Sequence, residues 1–128
     1  WRGKCAAGAA PLAARQKMTV DKGRRHMIKH IYLIKLKNRT DAPAVAERLR
    51  TLKREIPEIA SLEIGIDFRG AENSYDLVEC VSFRTEEDFR RFGENAYHEE
   101  IRRYLKTVQL ATAKVDFSSV EPERERIS

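Results

Sequence analysis

The spacing of apolar residues switches along the chain between strand-like and helix-like periods, and the order of these patterns most constrains the fold. Alternating segments rich in β-branched and aromatic residues predict strands over residues 28–37, 59–68, 75–84 and about 110–120. Apolar residues at helical spacing lie between the first two strands and between the last two. They are Val45, Leu49, Leu52 and Ile56, then Phe89, Phe92, Tyr97, Ile101, Tyr104, Leu105 and Val108. The predicted order is therefore β-α-β-β-α-β.

Turn and capping residues mark the boundaries of these elements. Thr40 or Asp41 is predicted to cap the first helix, because their side-chain oxygens can accept the free N–H groups of a first turn. The polar stretch 69–74 predicts a hairpin between the second and third strands. Thr85 begins a capping sequence for the second helical stretch, which Gly93 interrupts.

This order predicts an α+β, ferredoxin-like fold, in which two helices cover one face of a four-stranded antiparallel sheet. The other face is left bare, and the strand alternation places apolar side chains on it. A bare apolar sheet face is typical of an association surface. We therefore expect a two-fold homodimer of the dimeric α/β-barrel type. The predicted dimer interface contains Ile31, Leu33, Val78 and Cys80.

The charge of the chain lies mostly outside the predicted domain. Residues 1–26 carry seven Lys or Arg against one Asp, which leaves −1 of the total +5 for residues 27–128. We expect 1–26 to be a disordered, basic, Ala-rich extension, 27–120 to be the domain and 121–128 to be a charged tail. The near-neutral domain predicts neither specific nucleic-acid binding nor membrane binding. Binding of nucleic acid or a membrane surface through the basic arm is kept as an alternative function.

The cysteine content and the hydropathy predict a cytoplasmic protein. The two cysteines, Cys5 and Cys80, form no disulfide framework and no Cys-x-x-Cys motif. Apolar runs are short and interrupted by charged residues, well below the roughly 18 residues that span a bilayer. No Gly-rich phosphate loop or His-Glu-x-x-His motif is present, so we expect no cofactor and no metal.

Residues from about 27 to 120 resemble the stress-responsive α/β-barrel family, known as Dabb. The resemblance rests on the order and spacing of several short segments. They are Met27–Ile31, Leu33–Lys37, Ile56–Ile59, Leu62–Gly65, Tyr75–Val78, Phe83 and Thr85–Asp88, followed by His98. The resemblance implies the fold, the dimer and a role in the stress response.

The resemblance also suggests where chemistry could occur. A plant polyketide cyclase of this family uses histidines and tyrosines in a cavity between the sheet and the helices. His30 and His98 match two of its histidine positions and are the candidate catalytic residues. A third histidine position falls on Leu77, and the two tyrosine positions fall on Leu49 and Phe92, which argues against the same cyclisation.

Three interpretations of this interior remain open beside the basic-arm alternative. In the first, the protein binds a small hydrophobic or aromatic molecule without robust catalysis. In the second, it is a cofactor-independent enzyme of the cyclase or monooxygenase type that uses His30 and His98 as acid or base groups. Purely structural roles for both histidines are a third reading of the same residues. The predicted pocket contains Tyr32, Tyr75, Phe92 and Tyr97, with Glu79 as a further lining residue.

Overall fold

The computed structural model describes residues 26–120, so the predicted N-terminal extension (apart from its last residue) and the charged tail lie outside the described residues. Eight elements follow one another. They are β1 (His26–Leu36), a short 3-10 helix (Arg39–Asp41), α1 (Ala42–Glu55), β2 (Ser61–Ile66), β3 (Leu77–Phe83), α2 (Glu86–Glu94), α3 (Ala96–Val108) and β4 (Gln109–Val120).

The four strands form one antiparallel sheet in the order β2-β3-β1-β4. β1 pairs with β3 from Ile28 opposite Phe83 to Ile34 opposite Leu77. β2 and β3 form the predicted hairpin. The α+β, ferredoxin-like fold predicted from the order of the patterns is confirmed.

The core of the unit Met27–Ser118 lies between one face of the sheet and the helices. Alternate residues of β1 and β3 point into it, and α1 and α3 supply apolar side chains from the other side. The fully buried side chains include Ile34, Leu77, Val81, Phe83, Val45, Leu49, Leu52, Phe92 and Ile101. Burying each of these large apolar side chains contributes about 1.5–3 kcal/mol.

The second helical stretch is two helices, so the prediction of only two helices in the domain is wrong. The break follows the predicted interruption at Gly93 and lies at Asn95, which has extended backbone. The Asn95 side-chain oxygen accepts hydrogen bonds from the N–H groups of Tyr97 and His98 at 2.7 and 3.0 Å. These bonds satisfy donors at the start of α3, and the chain can therefore turn and begin a new helix.

The other two predicted caps have different outcomes. Thr85 caps α2 as predicted, since its hydroxyl accepts from the N–H of Asp88. Asp41 occupies the position before α1 but makes no capping bond with its side chain. Asn38 instead caps the 3-10 turn that precedes this helix, by accepting from the N–H of Thr40 at 3.2 Å.

An ion-pair cluster fixes the end of β1 to the turn after β2. The buried carboxylate of Asp76 accepts from the N–H of Leu36 at 2.8 Å and from the Arg39 guanidinium at 2.9 Å. Arg39 also donates to the backbone oxygen of Asp67 at 2.9 Å. Gly70 closes the turn with a φ of 68°, a left-handed conformation that favours glycine. This polar cluster therefore has a structural role.

Candidate functional site

His30 projects from β1 into the layer between the sheet and the helices, where two carboxyl groups lie on opposite sides of its ring. Its Nδ1 is 2.5 Å from Oδ1 of Asp116 on β4, a charge-assisted hydrogen bond in which Nδ1–H donates. Its Nε2 is 3.7 Å from Oε2 of Glu79 on β3. Asp116 thereby fixes the imidazole tautomer, and the other nitrogen faces Glu79.

Glu79 is the most deeply buried member of this group. Its side chain is 3% exposed, compared with 11% for His30 and 31% for Asp116. Desolvation raises the pKa of Glu79 to about 7, because burial disfavours the charged carboxylate. Glu79 can therefore hold or release a proton near neutral pH, with the Nε2 of His30 3.7 Å from its carboxyl oxygen. We call His30, Glu79 and Asp116 the acid–base cluster.

Aromatic rings enclose the cluster on the helix side. The rings of Tyr32 and Phe92 each lie 5.8 Å from that of His30, and the ring of Phe89 lies 6.3 Å away. Tyr32 and Phe89 are half-buried, so the aromatic wall extends from the core to the surface. Such surroundings would suit an apolar or aromatic body with one polar end.

His98 lies near His30, because the rings of both residues contact the ring of Phe92. The His98 and Phe92 rings stack with their centres 3.9 Å apart, and Nδ1 of His98 donates to the Phe92 carbonyl at 3.0 Å. Burial lowers the pKa of His98 to about 4, and the positive charge of Arg102 acts in the same direction. His98 is therefore neutral at physiological pH, held by its Nδ1 hydrogen bond.

The structure brings together part of the predicted site. His30, His98, Tyr32 and Phe92 meet in one region, and the lining residue Glu79 faces His30 directly. The Tyr97 hydroxyl instead pairs with that of Thr51 on α1 at 2.6 Å.

Tyr75 lies apart from this group. It immediately precedes Asp76 and the β1–β3 pairing that begins at Leu77, whereas His30 pairs with Val81. Leu77 is four residues from Val81 along β3, or roughly 13 Å, and Tyr75 lies two residues beyond Leu77. The structure therefore places this predicted pocket residue at the other end of the sheet.

Asp116 is the site residue that sequence reasoning missed. It follows His30 by 86 positions, and only the pairing of β1 with β4 brings the two together. The available signal was an acidic residue between Val115 and Phe117 within a predicted strand. Strand alternation places a residue between two outward apolar side chains on the inner face.

Two further findings bear on the predicted cofactors and partners. Within residues 26–120, no group of three or more His, Cys, Asp or Glu side chains is arranged to hold a metal ion. None of the helices in the same range has the length and hydropathy needed to cross a membrane.

The sequence matches the model of the Dabb family, described as the stress responsive A/B barrel domain, over residues 28–119. The chain belongs to the Dabb family. The resemblance noted from the sequence is therefore confirmed. No protein with a curated description matches the sequence.

Solved structures with the same fold include bacterial and plant proteins. A dimeric protein of unknown function and ferredoxin-like fold from Bacteroides fragilis is 21% identical, with a TM-score of 0.62 over 71% of this chain and 94% of that one. A dimeric ferredoxin-like protein from Thermobifida fusca is 22% identical, with a TM-score of 0.60 over 74% and 92%. Hydroxynitrile lyase from Passiflora edulis is 14% identical, with a TM-score of 0.61 over 77% and 95%. At these identities the likeness shows that the Dabb chain shares their fold.

The raised pKa of Glu79 predicts a pH-dependent cost of burying it. Its folded pKa of about 7 exceeds the ordinary 4.5, so the folded state binds more protons between these values. The free energy of unfolding should fall as pH rises through this window. The substitution Glu79→Gln removes this fall in the free energy of unfolding, because the amide does not ionise. The variant should gain stability relative to the parent protein by about 2 kcal/mol between pH 5 and pH 8.

Urea unfolding of both proteins at the two pH values measures this difference. Glu63→Gln, which changes an exposed glutamate of β2, is the matched control and should follow the parent protein at both pH values. An equal effect of Glu79→Gln at pH 5 and pH 8 would contradict the assigned pKa.

Proposed function

We propose that this Dabb protein is a homodimer that binds a small hydrophobic or aromatic molecule in its interior, with the polar end of the ligand at the acid–base cluster. The observation that carries the proposal is the carboxyl group of Glu79. Its side chain is 3% exposed, and its Oε2 lies 3.7 Å from His30 Nε2, which is longer than a hydrogen bond. Carboxyl groups are seldom buried this deeply, and one that faces an imidazole in the interior is a candidate for a functional role.

The surroundings of Glu79 support a ligand of mixed character. A ligand hydroxyl group beside Glu79 would donate to its carboxylate, or accept from the carboxyl group when that group is protonated. The half-buried rings of Tyr32 and Phe89, with the buried ring of Phe92, would pack against an apolar body. These features favour a small aromatic or polyketide-like molecule with a polar substituent.

A second candidate function is cofactor-independent acid–base catalysis at the same place. An imidazole oriented by one carboxylate and facing a second, titratable carboxyl group can support general acid–base chemistry. The hydroxynitrile lyase with this fold is an enzyme, which makes catalysis on the same scaffold a consistent extension. In this reading His30 is the catalytic acid or base, and neutral His98 helps to hold the ligand.

The homodimer is supported by the sheet face opposite the helices. Ile31 lies opposite Cys80 and Leu33 lies opposite Val78, so the four predicted interface residues form one patch on neighbouring strands. All four are half-buried in the single chain. Asp116 of β4 points inward to His30, and neighbouring residues of a strand point to opposite faces. The exposed side chains of Val115 and Phe117 therefore lie on this outer face as well.

Several expectations remain predictions because they concern other parts of the chain, or the location and role of the protein in the cell. Binding of nucleic acid or a membrane surface through the basic arm concerns a segment that lies outside the described residues. A cytoplasmic location and a role in the stress response are proposed from the cysteine usage and from the family resemblance.

Titration with 4-propylphenol tests the proposed ligand site. This probe has an apolar aromatic body and one hydroxyl group. The side-chain NMR signal of His30 should shift saturably, and His30→Leu should weaken binding by about tenfold or more, because the polar end loses its partner. Tyr75→Phe, at the other end of the sheet, is the matched control and should leave the affinity unchanged. Absence of a saturable shift at His30 would overturn the proposal.

The dimer is tested by Leu33→Asp, which would bury two unpaired carboxylates in a symmetric interface at a cost of several kcal/mol. Sedimentation should show a dimer for the parent protein, and monomer or aggregate for this variant. Leu49→Asp, in the fully buried helix-side core, should instead unfold the domain. A parent protein that sediments as a monomer at micromolar concentration would show that the outer face is not an interface.

A further inference from the structure

The acid–base cluster contains two carboxyl groups and one imidazole, which limits its charge. With Asp116 ionised, protonation of His30 gives a neutral cluster only if Glu79 also holds a proton. Every other arrangement with Asp116 ionised leaves the cluster negative. The cluster is therefore neutral or negative, but not positive, whenever Asp116 carries its charge.

The neighbouring groups do not reverse this balance. Neutral His98 adds no charge at physiological pH. Arg102, which acts on His98, donates to the carbonyl of Gly93 at 2.8 Å and pairs with Glu99 at 3.5 Å. Within the described part of the chain, no Lys or Arg side chain forms an ion pair with Glu79 or Asp116.

We propose that the interior of this protein selects uncharged hydrogen-bond donors, such as phenols, over carboxylates, and that Glu79 sets this selectivity. This inference rests on the proposed ligand site and adds the chemical class of its ligand. Glu79 is positioned to accept a hydrogen bond from a ligand hydroxyl. A ligand carboxylate in the same place would be a second buried anion beside it.

The energetic basis is the cost of burying like charges together. Two carboxylates in a low-dielectric interior repel strongly, and no Lys or Arg among residues 26–120 pairs with Glu79 to offset that repulsion, while the facing His30 already pairs with Asp116. An uncharged hydroxyl has no such penalty and can donate to the Glu79 carboxylate, whose 3.7 Å separation from His30 Nε2 is longer than a hydrogen bond. Tyr32, whose hydroxyl lies 3.5 Å from the Gln109 side-chain oxygen, adds no positive charge to this wall.

Two probes of nearly the same size separate the effect of charge from the effect of shape. They are 4-propylphenol and 4-propylbenzoate, measured by calorimetry and by the His30 NMR signal at about pH 8.5, above the pKa of about 7 that burial gives Glu79. The parent protein should prefer the phenol by about tenfold or more, since a like-charge contact weakens binding of the benzoate. Glu79→Gln keeps the size and removes the charge, and it should reduce this preference mainly by improving the affinity for the benzoate.

Glu63→Gln removes an exposed carboxylate from the neighbouring strand and should leave the preference unchanged. Glu79→Met is the second variant if Glu79→Gln does not fold, and it should also lose the discrimination against the benzoate. Failure of both probes to bind at His30 would overturn the ligand site together with this inference. If the phenol binds but the two probes have equal affinity, or if the preference survives both substitutions of Glu79, the selectivity proposal alone is wrong.

Discussion

The carboxyl group of Glu79 is buried between the sheet and the helices, and the chemistry of the interior follows from how that group is neutralised. Its burial raises its pKa towards neutrality, and the Nε2 of His30 lies 3.7 Å from its carboxyl oxygen. Asp116 fixes the opposite nitrogen of His30 and is itself partly exposed. The three groups thus form a path from the solvent-accessible edge strand to the deepest carboxyl of the sheet.

The same two central strands carry both surfaces on which the proposed function depends. In β1, His30 points towards the helices, whereas Ile31 points away from them; in β3, Glu79 and Cys80 divide in the same way. A one-residue shift of either strand would exchange the two sets of side chains. The register of β1 against β3 is therefore required for the acid–base cluster and for the proposed dimer interface at once.

Most of the architecture could be predicted from the sequence because it depends on local patterns. Alternation in β1 and β3, the helical stripe of α1 and the cap at Thr85 each involve residues close in the chain. The break between α2 and α3 was harder to predict, because Asn95 becomes a cap only once its backbone is extended. Gly93, two residues earlier, is the stronger apparent breaker in the sequence alone.

The site was only partly predictable because its contacts are long-range. The family resemblance identified His30 and His98, but neither periodicity nor motif spacing specifies that Asp116 reaches His30. That contact requires the strand order β2-β3-β1-β4, which places the last strand beside the first. Tyr75 was predicted to join the site, but it precedes Leu77 at the start of β3, whereas His30 pairs with Val81 further along that strand.

The protonation of Glu79 tests this description most directly. Carbon-13 NMR of its side-chain carboxyl group, followed from pH 4 to pH 9 in the full chain, measures its pKa without any ligand or substitution. A titration midpoint near 7 is the predicted result. A midpoint near the ordinary glutamate value of 4.5 would show that the carboxylate is solvated or paired, and would contradict the buried acid–base cluster.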